Sequence, residues 1–257
     1  MPSPTETVEV AFITPRHLAG GGDPAWVTRP LHLACGWRYD GDPLLPRVIL
    51  SSPDQKAVLR LEPGVEGPWW TLHHAADRDR PAWSASFGAC APVELIAAFM
   101  DALTAPEPDA PWDPYGALRQ AGWSRYFDNG LVSPDNKAYI ERLGTPAAPT
   151  WGITVSLGLQ PKAWEARFGA HTPPHLVAAF TTALADREPV HRIGRGSSLP
   201  TPLDPSLVSR RTTSVLAVYI DGALEHRVRS LASRRGDSLL GDGRPPDLPP
   251  PHHGRSR

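Results

Sequence analysis

The sequence predicts an α+β protein made of two tandem repeats, each a roughly four-stranded antiparallel sheet with flanking helices, followed by a disordered C-terminal tail. Three observations predict it. The chain repeats itself at a fixed offset, each copy passes from period-two alternation to helical spacing, and the pattern stops near Pro189.

The offset is 81 residues. Shifted by that amount, Ser52 to Leu103 lies on Ser133 to Leu184 without a gap, and about 20 of 52 positions are identical. Ser52-Pro53-Asp54 meets Ser133-Pro134-Asp135, and Trp70 meets Trp151. Trp83, Phe87 and Gly88 meet Trp164, Phe168 and Gly169, and the Ala-Ala-Phe ending at Phe99 meets the one ending at Phe180. Upstream, with a different gap, Cys35-Gly36-Trp37 meets Ala121-Gly122-Trp123.

Each unit reads as helix, strands, helix. Asp113 is a suitable N-cap with Pro114 in the first helical position, and Gly122 supplies a left-handed stop; the first unit offers Thr28 as cap and Gly36 as stop. Val48-Ile49-Leu50 and the alternating Ala57, Leu59 and Leu61 flank the Ser-Pro-Asp turn, where proline fixes φ and the carboxylate accepts a local backbone hydrogen bond. Trp70 and Leu72, then Trp83, Ala85 and Phe87, continue the alternation of half-buried strands. The closing helices open at Pro92 and at Pro173, the latter after Thr172 as cap. They carry the stripes Leu95, Phe99, Ala102, Leu103 and Leu176, Phe180, Ala183, Leu184. At this size a lone unit is marginal, so the two should pack together.

Val8 to Ile13 reads as a strand added to a sheet edge, and Ser214 to Ile220 as one strand within the tail. The expected boundaries are 1–26 for that strand and a Gly-rich connector, 27–105 for the first repeat, 106–112 for a Pro-rich linker, 113–189 for the second repeat and 190–257 for the tail.

Charge divides the chain. Residues 187–257 hold 12 arginines against 7 acids, whereas 1–186 hold 14 bases against 20 acids. An acidic body matches nucleic acid poorly, because that affinity comes largely from phosphate neutralisation. No apolar run approaches the roughly 20 residues of a membrane helix, and the residues after Met1 show no basic stretch leading into an apolar one. Two cysteines make no disulfide framework, which predicts a cytoplasmic protein.

No chemistry-bearing motif stands out. Gly20-Gly21-Gly22 is followed by Asp23-Pro24 where a phosphate loop needs Lys and a hydroxyl, so a flexible connector is the better reading. Cys90 precedes a helix whose dipole can lower a thiol pKa, with His73 or His74 as a base, but the second unit carries His171 at that position and a packed cysteine is favoured. His73 and His74 point to opposite faces of a strand and cannot grip one metal ion, and no metal or cofactor is expected. Asp77-Arg78-Asp79-Arg80 reads as a solvated turn, and His252-His253 as an adventitious metal ligand at most.

Taken as a set, the recurring Ser-Pro-Asp turn, the Gly-Trp stop, the Ala-Ala-Phe helix and the leading Leu18-Ala19-Gly20-Gly21-Gly22-Asp23-Pro24 resemble the SPDY domain family over roughly residues 8–189. Gln55 and Asn136 stand where the family name has Tyr. The resemblance implies tandem copies of a domain of unknown function and an actinobacterial source, and no activity or site residues.

If Trp70 and Leu72 face inward, Trp69, Thr71 and His73 face outward beside Ser84 and Ser86, with Thr150, Gly152, Thr154, Glu165 and Arg167 as their counterparts. The sequence therefore points to a non-catalytic binding or scaffold protein that contacts a protein partner through this face. The second reading is nucleic-acid binding, with the sheet face for stacking and the Arg-rich tail for phosphates. A Cys/His enzyme ranks last.

Overall fold

The computed structural model describes residues 7–40, 47–64, 67–107, 109, 112–157, 162–193 and 208–241. Each repeat contributes five strands, one more than the alternation predicts. In the first they are β2 (Arg38–Tyr39), β3 (Val48–Ser51), β4 (Ala57–Leu61), β5 (Trp70–His74) and β6 (Trp83–Phe87). In the second they are β7 (Ser124–Tyr126), β8 (Gly130–Val132), β9 (Ala138–Thr145), β10 (Ala148–Ser156) and β11 (Lys162–Phe168). The added strands, β2 and β7, form where the chain turns back after the Gly36 and Gly122 stops, whose φ angles are +70° and +89°.

The two sheets are one. The order β2-β3-β4-β5-β6-β11-β10-β9-β8-β7 makes ten antiparallel strands, joined where β6 pairs with β11. At that seam Ala85 faces Phe168, Ser86 faces Arg167 and Phe87 faces Ala166. Under the 81-residue offset Ser86 is the counterpart of Arg167, so the register is self-complementary and a pseudo-two-fold axis passes between them. Gly88 N–H donates to Glu165 O and Gly169 N–H to Ser84 O, both at 2.8 Å, which continues the symmetry beyond the strands. A side chain would be crowded there: a Cβ on Gly169 would lie 3.0 Å from Ser84 O, and one on Gly88 3.3 Å from Glu165 N.

Helices α1 (Ala25–Leu33), α2 (Val93–Thr104), α3 (Gly116–Gln120) and α4 (Pro174–Ala185) bury the apolar face of this sheet. Phe87 and Phe168 from the seam strands meet Phe99 and Phe180 from α2 and α4, each at most 1% exposed, with ring centroids 5.3–5.9 Å apart. Burying each such ring is worth about 1.5–3 kcal/mol.

Two expected caps are corrected. The first helix starts before Thr28: Asp23 Oδ1 accepts from Ala25 N–H at 2.8 Å, and Thr28 donates back to Pro24 O inside the helix. Thr172 likewise donates to Gly169 O at 2.8 Å and caps no amide of α4. Asp113 Oδ1 does accept from Tyr115 N–H, although the helix begins only at Gly116.

The largest correction concerns residues 190–257. β1 (Thr7–Thr14) joins no edge of the large sheet; it is the centre of a second, three-stranded antiparallel sheet between β12 (Val190–Ile193) and β13 (Ser209–Leu216). The chain then continues as α5 (Ala217–Gly241), so the strand expected over Ser214–Ile220 ends at Leu216. The 25-residue α5 has little apolar periodicity and is held instead by arginines. Arg227 forks onto both Asp101 oxygens at 2.8 and 2.9 Å while its Nε–H donates to Trp26 O, and Leu231 is buried. The disorder expected over 244–257, and the His252-His253 pair, lie outside the described residues.

Truncating the aromatic seam tests this construction. Phe87→Ala should destabilise the chain by about 3–5 kcal/mol in urea unfolding; a loss below about 1 kcal/mol would show that the cluster does not hold the two halves together.

Candidate functional site

With one face of the large sheet under helices, alternation sends every second side chain to the other face. Thr71 lies directly opposite Ser86, and His73 opposite Ser84, so four of the five expected residues form one patch on β5 and β6. His73 and Ser84 are exposed, Thr71 and Ser86 half-buried. Trp69 sits at the rim, where its indole N–H donates to Gly64 O at 2.8 Å and its ring packs partly against the core. It borders a hollow of about 780 Å³ together with Ser86, Lys162, Glu165 and Arg167.

A second hollow, of about 720 Å³, opens on the other side of the seam and shares Ser84 and Ser86 with the patch. Its walls include Tyr126, Tyr139, Glu141 and Leu143, none of which the sequence reading selected. The signal existed: Tyr139 and Glu141 alternate with the buried Ala138 and Ile140 along β9, which places them on the outer face. Tyr126 meets Phe127 edge-on and Tyr139 at a tilt, at 4.5 and 4.9 Å between ring centroids, and Phe127 is 73% exposed. Gly152 leaves the floor open, since nothing lies within 4 Å of where a Cβ would stand. At the seam Glu165 is bracketed by Lys162 at 2.6 Å and Arg167 at 2.7 Å. Partial burial pushes its carboxyl up, but those two cations outweigh it and hold the group below its ordinary value. The seam charges are thus already paired with one another.

The Ser-Pro-Asp segments are turns of one design. Ser52 Oγ accepts from Ala57 N–H and Ser133 Oγ from Ala138 N–H, both at 2.9 Å. Asp54 and Asp135 each accept from the amide two residues on, at 3.1 Å. Gln55 and Asn136 then take positive φ, +60° and +56°. The proline rings lie against the glycines of the Gly-Trp stops, with Pro53 Cγ 3.7 Å from where a Cβ on Gly36 would be and Pro134 Cγ 3.8 Å from one on Gly122. Among the described residues only the second turn is capped by a histidine. His17, 5% exposed, donates from Nε2 to Asp135 Oδ2 at 2.8 Å. Burial raises the Asp135 carboxyl, but the hydrogen bond and charge of His17, with the Ser133 hydroxyl and Lys137 N–H, bring it down to about 2.

The remaining expectations resolve simply. Cys90 is half-buried, and burial pushes its thiol up rather than down; no hydrogen bond joins it to a histidine among the described residues. His73 is exposed on the outer face while His74 stacks on Trp83 at 5.2 Å on the other. Gly20 to Gly22 are buried and ordered, with Gly21 O accepting from Val93 N–H and Gly20 O from Arg192. The Asp77–Arg80 run closes on itself through Asp77 Oδ1, and Arg80 pairs with Glu107. Among the described residues no group of three His, Cys, Asp or Glu is placed to hold a metal, and no helix is long and apolar enough to cross a membrane.

A family model, SPDY, described as a domain of unknown function (DUF317), matches residues 51–109 and 132–190. No curated protein and no solved structure matches the chain.

The Asp135 contact carries a pH signature. A carboxyl held low in the folded state stabilises it fully above the unfolded value of 3.8, and that contribution is lost as pH falls from there to about 2. Wild type should therefore lose more stability than Asp135→Asn over this window. The excess should be at most about 2 kcal/mol, reduced by solvent because the carboxylate is partly exposed. Acid titrations of the two proteins followed by circular dichroism check this, and the same loss in both would remove the contact from the stability account.

Proposed function

As a member of the SPDY domain family with two tandem copies, the chain inherits no assigned activity, and we propose from its own surfaces that it is a cytoplasmic, non-catalytic binding module. Its outer sheet face, centred on the Ser86–Arg167 seam, docks a protein partner. One observation carries the reading: a ten-stranded sheet buries one face under helices and leaves the other floored by Thr71, Ser84, Ser86, Gly152 and Thr154, with two hollows meeting at the seam. Small polar side chains on a broad concave surface admit close approach of another backbone, and the exposed Leu143 and Phe127 supply apolar contact at one end.

The nucleic-acid reading loses support from the tail. Arg192 grips Glu94, Ala19 O and Gly20 O, Arg227 grips Asp101, and Arg235 donates to Cys35 O, so three of the cations it relied on already have partners. Glu141 on the outer face adds repulsion for phosphates, and the seam cations Lys162 and Arg167 are already engaged by Glu165.

A photo-crosslinking residue at position 84 should capture a discrete protein species from native lysate, whereas one at Ser233, exposed on α5, should not. Adding Ser86→Trp, which fills the seam, should abolish the capture while leaving the circular dichroism spectrum unchanged. Equal capture from both positions, or capture only of nucleic acid with a steep salt dependence, would overturn the reading.

A further inference from the structure

The pseudo-two-fold symmetry permits a comparison inside one molecule: a role filled at one repeat can be looked for at the other. Two roles are informative. The carbonyl that ends the first helix of each unit receives an arginine, Ala121 O from Arg187 at 3.1 Å and Cys35 O from Arg235 at 2.5 Å. Cys35 and Ala121 are counterparts, so Arg235, arriving on α5, does at the first repeat what Arg187 does at the second. That role is filled twice.

Among the described residues the role of His17 is filled once. At the second repeat its imidazole lies between the Asp135 carboxylate and the Trp123 ring, 6.4 Å between centroids, while its carbonyl accepts the Trp164 indole N–H at 2.8 Å. The counterparts of Asp135 and Trp123 are Asp54 and Trp37. These two residues line a hollow of about 240 Å³, whose other walls include Pro53, His74, Thr104 and Arg235. That is several times the ~30 Å³ share of one water. His74 does not take the place of His17: its Nδ1–H donates to Ala75 O, its ring stacks on Trp83, and it makes no hydrogen bond to Asp54 among the described residues.

We propose that the Ser-Pro-Asp pocket of the first repeat is a binding site for a histidine side chain presented by a partner polypeptide, entering in its neutral form because Arg235 stands beside it, and donating to Asp54 and packing on Trp37 in the positions that Asp135 and Trp123 hold around His17. The class of occupant follows from the walls. Asp54 supplies an anionic acceptor, so the ligand must bring an N–H donor. Arg235 stands at the rim with its guanidinium on Cys35 O, and its charge disfavours a lysine or arginine entering beside it. A flat, uncharged donor satisfies both walls. This site lies at the Ser-Pro-Asp turn, not on the outer sheet face, and stands or falls separately from the docking proposed there.

The probe is the chain's own segment, a synthetic peptide of the sequence Thr-Pro-Arg-His-Leu-Ala-Gly found at residues 14–20, added to the full-length, ¹⁵N-labelled protein. The pH is kept above about 7, so that imidazole is mostly neutral. The Trp37 indole resonance should shift saturably, and the peptide with His replaced by Ala should not shift it. Asp54→Asn should weaken binding about tenfold or more, as expected for losing a charge-assisted hydrogen bond. Because Asp54 also supports its turn, Thr104→Phe, which fills the hollow from the α2 side, provides an independent block. No saturable shift at millimolar peptide, a shift indifferent to both variants, or one that moves Trp123 and responds to Asp135→Asn instead would overturn the proposal.

Discussion

The antiparallel pairing of β6 with β11 decides the rest of the architecture. Each repeat alone ends in a strand with a free row of N–H and C=O groups, an edge that invites pairing. Because the same edge occurs twice, the most economical partner is its own copy, and a self-complementary register places Ser86 against Arg167. The register also fixes the side chains. Phe87 and Phe168 fall on the helix side, where Phe99 and Phe180 close over them, and the absence of a Cβ at Gly88 and Gly169 lets the chains leave the seam still hydrogen-bonded to each other. A one-residue slip would send both seam phenylalanines to the solvent face. The continuous outer face, with a hollow on either side of the axis, is a geometric consequence of this join.

The chain ends break the symmetry that the seam creates. The residues before the first repeat and after the second meet in a three-stranded sheet, and their polar anchors reach the two repeats unequally. His17 and Arg16 bind the second repeat, at Asp135 and Asp186, while Arg227 and Arg235 bind the first, at Asp101 and Cys35 O. Two units with closely related cores therefore sit in different electrostatic surroundings. The Ser-Pro-Asp turn shows it most clearly, with an imidazole over one aspartate and an open hollow beside the other.

How much of this could be read beforehand depended on what kind of force was at work. Apolar periodicity, turn chemistry and glycine stops are local, and they located the hairpins at Ser52 and Ser133, the inward face of β5 and β6, and the stops at Gly36 and Gly122. The patch of Thr71, His73, Ser84 and Ser86 followed from the same alternation. The join between sheets was not legible, because edge pairing is a main-chain interaction with no composition of its own. Nor was the ordered tail: β13 pairs with β1, and β12 and α5 are held by arginines reaching Glu94, Trp26 O, Asp101 and Cys35 O, partners about 100 to 200 residues away in sequence. An arginine-rich stretch without an apolar stripe reads as unfolded until those acceptors are seen. Thr28 was misassigned for a simpler reason, since Asp23 lay one turn upstream behind a proline.

The pattern of identity between the repeats bears on what the outer face is for. Positions retained in both copies are core residues such as Trp70/Trp151, Ala85/Ala166 and Phe87/Phe168, or the turn residues that shape the hairpins. Outer-face positions differ without exception along the paired strands: Val58/Tyr139, Arg60/Glu141, Thr71/Gly152, His73/Thr154, Ser84/Glu165 and Ser86/Arg167. A packed core limits substitution in both copies alike, whereas a solvated face can drift. Drift alone explains difference, but not the hollows: the second repeat carries paired tyrosines and an open glycine floor where the first carries small hydroxyls and a histidine. The two sides of the axis are thus chemically unlike, although their backbones are related by two-fold symmetry. A symmetric partner would gain full complementarity on only one side. The docking proposed for this face would therefore call for a single asymmetric partner lying across the seam, one end against the aromatic hollow and the other against the serine, threonine and histidine patch.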